Sequence, residues 1–169
     1  MKHKPILLII FIFCILLFSC KKDKAIDSTD LELYDMSENS ANFTYYKNSS
    51  ILLPKSSGSG HGQPFLKTRF NSIAATKLDS TGKIISNAVF PEGSLIVKEL
   101  FDDSTHIGRY AILYKSTSHK NADAKGWVWG YINSDKTVAS PSSNKGGSCI
   151  SCHSQSGNID YMLMNKYFP

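Results

Sequence analysis

The residues with the clearest chemistry lie near the C-terminus, where Cys149 and Cys152 are separated by two positions and His153 follows directly. Cys-x-x-Cys-His is the attachment pattern of a c-type haem. Two thiols one helical turn apart can each form a thioether with a haem vinyl group, and the next residue then offers its imidazole to the iron from the same side. The sequence therefore predicts one haem c per chain, with Cys149 and Cys152 as attachment points and His153 as axial iron ligand. Three other uses of the pair compete. A Cys149–Cys152 disulfide closes a strained loop and does not need His153; it would leave a non-haem envelope lipoprotein. A thioredoxin-like pair belongs at a helix start after a strand in a βαβ unit, which this stretch does not offer. A zinc centre takes four ligands, and adjacent Cys152 and His153 do not readily reach one tetrahedral ion.

The other end of the chain agrees with haem attachment outside the cytoplasm. Lys2 and Lys4 precede an unbroken apolar run of thirteen residues, Ile6–Phe18. That is short of the roughly 20 residues a spanning helix needs, and a basic start before such a run is an export signal. Leu17-Phe18-Ser19-Cys20 resembles the bacterial lipoprotein processing box, in which the cysteine is diacylated and becomes the first residue. The alternative is an ordinary cleavable signal with Cys20 merely near the cut. The expected organisation is a signal peptide over 1–19, a lipidated N-terminus and flexible tether over 20–60, and a cytochrome domain over 61–169. The expected location is the bacterial cell envelope, at the periplasmic face or outer membrane, with Cys20 as the membrane link. Cys14 leaves with the signal, so every cysteine has an assignment.

Removing 1–19 leaves 150 residues, enough for one domain with a core. Two of the nineteen basic residues leave as well, so seventeen basic face fourteen acidic residues, a formal +3. Such a mild charge suits a redox partner protein or an anionic lipid surface, and nothing resembles a nucleic-acid interface. A homodimer is left open.

The elements that must position the haem pattern are mostly strands. Phe65–Phe70, Ser94–Phe101, Arg109–Ser116 and Trp127–Asn133 are rich in apolar and β-branched residues between turn signals, with Trp127, Trp129 and Tyr131 on one face. Asn71–Leu78 reads as a brief helix capped by Asn71, and Asp79–Gly82 as a turn. Ser56–Gly62 is a Gly/Ser loop, and Thr137–Ser148 a polar connection. A short helix carries Cys149–His153, and Asp160–Tyr167 packs behind it. The fold class is α+β: a mostly antiparallel sheet with short helices, the C-terminal one carrying the haem site.

The iron's other face has candidates in His61, His106, His119, Met36, Met162 and Met164. Only sixteen residues follow His153, and Met162 and Met164 suit core packing or the ring edge on the His153 side. The expectation is a five-coordinate haem whose distal face is open or capped by aromatics from Phe65, Phe70, Phe90, Phe101, Tyr110 and Trp127. A six-coordinate electron carrier is the alternative.

Several segments together resemble the cytochrome P460 family. Pro91–Lys98 is similar to its Pro-Asp/Glu-Gly-Thr/Ser-apolar-apolar-x-Lys strand, and Gly126–Trp129 to its Gly-Gly-Trp-Gly-aromatic strand. Cys149–His153 followed by Asp160-Tyr161-Met162 resembles its haem helix and tail, and Asn71–Ala75 its Asn-x-x-Ala segment. The match runs in order over roughly Phe65–Phe168. It implies a mostly antiparallel β fold, shared with β-type cytochromes c′, with the haem at one end of the sheet. It also implies one of two chemistries. Either a lysine is joined to the haem ring and hydroxylamine is oxidised, or nitric oxide or carbon monoxide is bound without turnover. Lys98, Lys77 and Lys67 are the candidate cross-linking lysines, with Lys98 favoured by its strand. Asp102 and Asp103 are the candidate distal carboxylates, since Glu99 points to the opposite strand face from Lys98.

Overall fold

The computed structural model describes residues 26–169. The signal segment, Cys20 and the start of the expected tether lie outside them. Seven strands form one antiparallel sheet: β1 (Thr44–Tyr45), β2 (Leu53–Pro54), β3 (Phe65–Phe70), β4 (Leu95–Phe101), β5 (Ile107–Lys115), β6 (Trp127–Asn133) and β7 (Val138–Ser140). Their order is β1-β3-β4-β5-β6-β7, with β2 paired to the other end of β3. Four short α-helices, α1 (Ser28–Glu38), α2 (Ser72–Ala75), α3 (Gly147–His153) and α4 (Met164–Tyr167), and two 3-10 turns at Tyr46–Asn48 and Ser142–Asn144 complete the described residues. The protein is thus α+β, dominated by an antiparallel sheet.

Alternation along the strands gives the sheet two different faces. Phe70, Ile96, Leu100, Leu113 and Trp127 point one way and pack with Phe90 and with Tyr161, Met162 and Met164 of the C-terminal segment. Leu95, Val97, Ile112, Val128 and Ile132 point the other way, under Leu33 and Tyr34 of α1. The chemistry-bearing segment therefore has one sheet face to itself.

The tether expected over 20–60 is folded from Ser28 onward. Asp27 caps α1 by accepting from Thr29 N at 2.9 Å, Tyr34 donates to Ser134 O at 3.0 Å, and Ser142 N donates to Asp30 Oδ1 at 2.8 Å. With few apolar residues the helix reads as polar chain. It forms because Leu33 and Tyr34 meet an apolar sheet face that local pattern does not reveal. The brief helix expected over Asn71–Leu78 is a single turn, α2, and Asn71 does more than cap it. Its Oδ1 accepts from Ala74 N at 2.8 Å and Leu95 N at 3.1 Å, and its amide donates to Gly93 O at 2.9 Å, clipping α2 to the start of β4. The polar connection Thr137–Ser148 contains β7, which covers the β6 edge.

Candidate functional site

Helix α3 starts after Gly146, whose φ is +79° and where a Cβ would lie 2.7 Å from Trp129 Nε1, so only glycine fits the approach. Cys149 and Cys152 sit one turn apart on this helix, and both thiols are free. Together with His153 they line a cavity of about 540 Å³ between α3 and the sheet. Ile96, Ala111 and Leu113 supply apolar wall, with Met162 from the C-terminal segment. This size and lining fall in the range of pre-formed cofactor sites.

His153 is oriented by a backbone carbonyl. Its Nδ1 lies 2.7 Å from Tyr161 O. A carbonyl only accepts, so Nδ1 carries the proton and Nε2 keeps the lone pair, the arrangement second-sphere carbonyls impose on ligating histidines. The ring stands edge-on to Trp129 at 5.3 Å, and Trp129 Nε1 is fixed by Asp123 Oδ2 at 2.8 Å. Burial, reinforced by the charge of Lys98, pushes the His153 imidazole down to about 4 against the opposing bond to Tyr161. It is neutral at neutral pH and available to a metal.

The Tyr161 carbonyl is aimed by a strained turn. Asp160 and Tyr161 both have positive φ, 46° and 73°. The Asp160 carboxylate holds the turn by accepting from Phe90 N at 3.0 Å and Trp127 Nε1 at 3.1 Å, and it pairs with Lys115 Nζ at 3.4 Å. Both ionic side chains are nearly inaccessible, 6 % and 8 % exposed. Tyr161 N in turn donates to Asn158 Oδ1 at 3.1 Å. Lys115 and this role of Asp160 are not apparent from the sequence; the one signal is a lysine ending an otherwise apolar strand.

Of the three lysines, only Lys98 lines the cavity. It stands mid-sheet between Thr68 and Ala111, and burial pushes its ammonium down to about 8. Lys67 projects from the opposite sheet face, over the Phe101 ring and across from Glu99, and Lys77 follows α2 away from the cavity. The expected carboxylates are not there either. Asp102 and Asp103 are exposed in the β4–β5 turn, where Asp103 caps Thr105 and His106 instead. Glu99 does lie on the opposite face, buried and paired with Arg69 at 2.7 Å. Among the described residues no Asp or Glu lines the cavity.

Of the six candidates for the iron's other face, His61 and Met162 reach the cavity. Met162 adjoins the Tyr161 carbonyl and so belongs to the His153 side. His106 is exposed and bonded to Asp103, His119 accepts from Asn121 N, Met36 packs on the α1 face and Met164 accepts from Thr68 in the core. Nor do the expected aromatics cap the cavity: Phe90 stacks on Phe70 and meets Trp127 edge-on in the core. Trp129 and Tyr131 are the aromatics that line it. His61, on what reads as a flexible glycine-rich loop, is instead tucked in beside Tyr131, and burial pushes its imidazole down to about 3.

Two thiols on one helical face, a neutral imidazole with its Nε2 unengaged, and an apolar chamber fit a covalently held haem. Among the described residues no three His, Cys, Asp or Glu side chains converge as a multidentate metal site; a haem iron draws only its axial ligands from the protein. No protein-family model matches this chain, and no curated protein matches it.

Proposed function

We propose that this protein is a monohaem c-type cytochrome of the P460-like β class, lipid-anchored in the bacterial cell envelope, that binds a small nitrogen-oxide ligand on the haem face opposite His153. The observation that carries this reading is the shared cavity of Cys149, Cys152 and His153, with His153 Nδ1 donated to Tyr161 O. Cys149 and Cys152 would each hold the haem by a thioether, the S–H adding across a vinyl group so that no oxidant is required. Bound there, the haem would supply an iron for nitric oxide or hydroxylamine and for electron exchange with a redox partner.

The chain's own residues favour ligand binding over hydroxylamine oxidation. Removing electrons from hydroxylamine releases protons, and the cavity lining offers no carboxylate to take them. Lys98 is the lysine placed to touch the ring or to be joined to it. The reduced absorption spectrum tests this: Lys98→Ala is expected to shift the Soret band, whereas Lys67→Ala and Lys77→Ala leave it in place. A strongly red-shifted wild-type band restored to an ordinary c-type position by Lys98→Ala would identify a covalent link. Three variants indistinguishable from wild type would remove Lys98 from the site.

Anchoring rests on Cys20 and the apolar run before it. Among the described residues no helix is long and apolar enough to cross a membrane. Two acyl chains on one cysteine suffice for stable attachment where a single chain does not. Cys20→Ser is expected to move the protein from the membrane fraction to the soluble periplasm, or to leave an uncleaved precursor. Wild-type protein found wholly in the soluble fraction would overturn the anchor.

A further inference from the structure

Taking the haem reading above as its basis, we propose that His61 is the resting sixth ligand of the iron, and that a gaseous ligand gains the metal only when His61 leaves it. His61 and His153 line the same cavity with ring centres 6.3 Å apart. Two imidazoles bound through nitrogen on opposite sides of one metal ion, at bonds of ~2.0 Å, have ring centres roughly 6 Å apart. Their planes can take any angle about the common axis, so the observed 73° is compatible with that arrangement.

Both rings have a polar partner at Nδ1. His153 gives Nδ1 to Tyr161 O at 2.7 Å, and His61 Nδ1 lies 3.3 Å from Tyr131 Oη. When Nδ1 of His61 is the donor to Tyr131 Oη, Nε2 carries the lone pair, as it does in His153, the pattern of ligating histidines with a supporting second sphere. Tyr131 is itself held on β6 beneath the Arg109 guanidinium, 4.5 Å from its ring centre.

The loop that carries His61 is built to hold it and to release it. It joins β2 to β3 and is closed at its base by Lys55 N donating to Pro64 O at 2.7 Å. Its tip packs on α4, where a Cβ on Gly58 would come 2.6 Å from the Tyr167 ring. Gly60 and Gly62, which flank His61, have open space around them. His61 is therefore borne outside the strands, so that its departure from the iron would leave the β3–β4 pairing and the Lys55–Pro64 closure in place.

The test uses the intact holoprotein, made with a c-type haem maturation system. Wild type is expected to be six-coordinate and low-spin in both oxidation states. Its carbon monoxide uptake should level off at a rate independent of gas concentration, set by departure of His61. His61→Ala should turn the ferrous haem high-spin, accelerate carbon monoxide binding at least tenfold and make it linear in concentration. Added imidazole should restore the low-spin spectrum of this variant, which shows that the fold around the iron is intact. Gly58→Val, which pushes the loop off Tyr167 but keeps His61, should give an intermediate rate. High-spin wild type, a low-spin spectrum that survives His61→Ala, or conversion by Lys98→Ala in place of His61→Ala would each overturn the assignment. Haem staining on denaturing gels separates the two readings. Stained protein with the wrong spin state defeats the His61 ligand alone, and unstained wild type defeats the haem itself.

Discussion

Cys149→Ala combined with Cys152→Ala is expected to abolish covalently bound haem, leaving a colourless band on a denaturing gel, whereas each single variant keeps a weaker stain. The two sulfurs stand one turn apart on α3 and face one chamber, so on the proposed reading each would make its bond independently and either alone would retain the ring. The singles differ in a useful way. Burial pushes the Cys149 thiol up, disfavouring its thiolate, while Cys152 Sγ accepts from Gln155 Nε2 at 3.4 Å. Gln155 also donates to Tyr167 Oη at 2.8 Å, tying the second attachment point to α4. His153→Ala should keep the stain, because the thioethers remain, but change the spectrum completely. Colourless wild-type protein after co-expression with a maturation system would end the cytochrome reading and leave the cysteine pair to a disulfide.

The second large effect is expected at Asp160, which touches no part of the cavity. Asp160→Ala strips Lys115 of its counter-ion and leaves Trp127 Nε1 and Phe90 N without their acceptor, all in a nearly inaccessible setting. Breaking a buried pair from one side costs about 3–5 kcal/mol, which for a domain of this size lowers the melting temperature by about 10–20 °C. The left-handed turn at Asp160 and Tyr161, an arrangement costing about 1–2 kcal/mol per non-glycine residue, would also relax once its anchor is gone. The Tyr161 carbonyl would then drift from His153 Nδ1, so the reduction potential of the holoprotein should shift as well, a change that loss of stability alone does not produce. Asp160→Ala with Lys115→Met should recover part of the lost stability, since no unpaired charge remains although Trp127 Nε1 and Phe90 N still lack their acceptor, and it should not recover the potential. A loss below ~1 kcal/mol in Asp160→Ala, within the range of ordinary surface substitutions, would mean that the pair is not an anchor.

Much of the scaffold is legible in local pattern. The stretches Phe65–Phe70, Leu95–Phe101 and Trp127–Asn133 alternate or bury both faces as strands do, and they appear as β3, β4 and β6. Asn71 signals a helix start by its type and place, and Cys149–His153 fall on a helix because their spacing suits one turn. The opposition of Lys98 and Glu99 follows from the period of a strand alone, and the structure agrees. These features depend on neighbours a few residues away, which a sequence displays directly.

What surrounds the haem pattern is a different matter. Whether Lys98, Lys67 or Lys77 faces the cavity depends on which face of the sheet α1 covers, and α1 itself is stable only on that face. Asp102 and Asp103 sit one and two residues past the end of the β4 run of apolar residues, close in sequence to Lys98 but turned into solvent by the hairpin to β5. His61 reads as part of a flexible Gly/Ser loop, yet the antiparallel register of β2 with β3 closes that loop and sets it over α3, ninety-two positions away from His153 in sequence. Residue types and spacing alone single out Cys149, Cys152 and His153 and set them on one helix. Tertiary structure decides what stands opposite them, because that depends on sheet register and on which surfaces remain to be covered once the strands have paired.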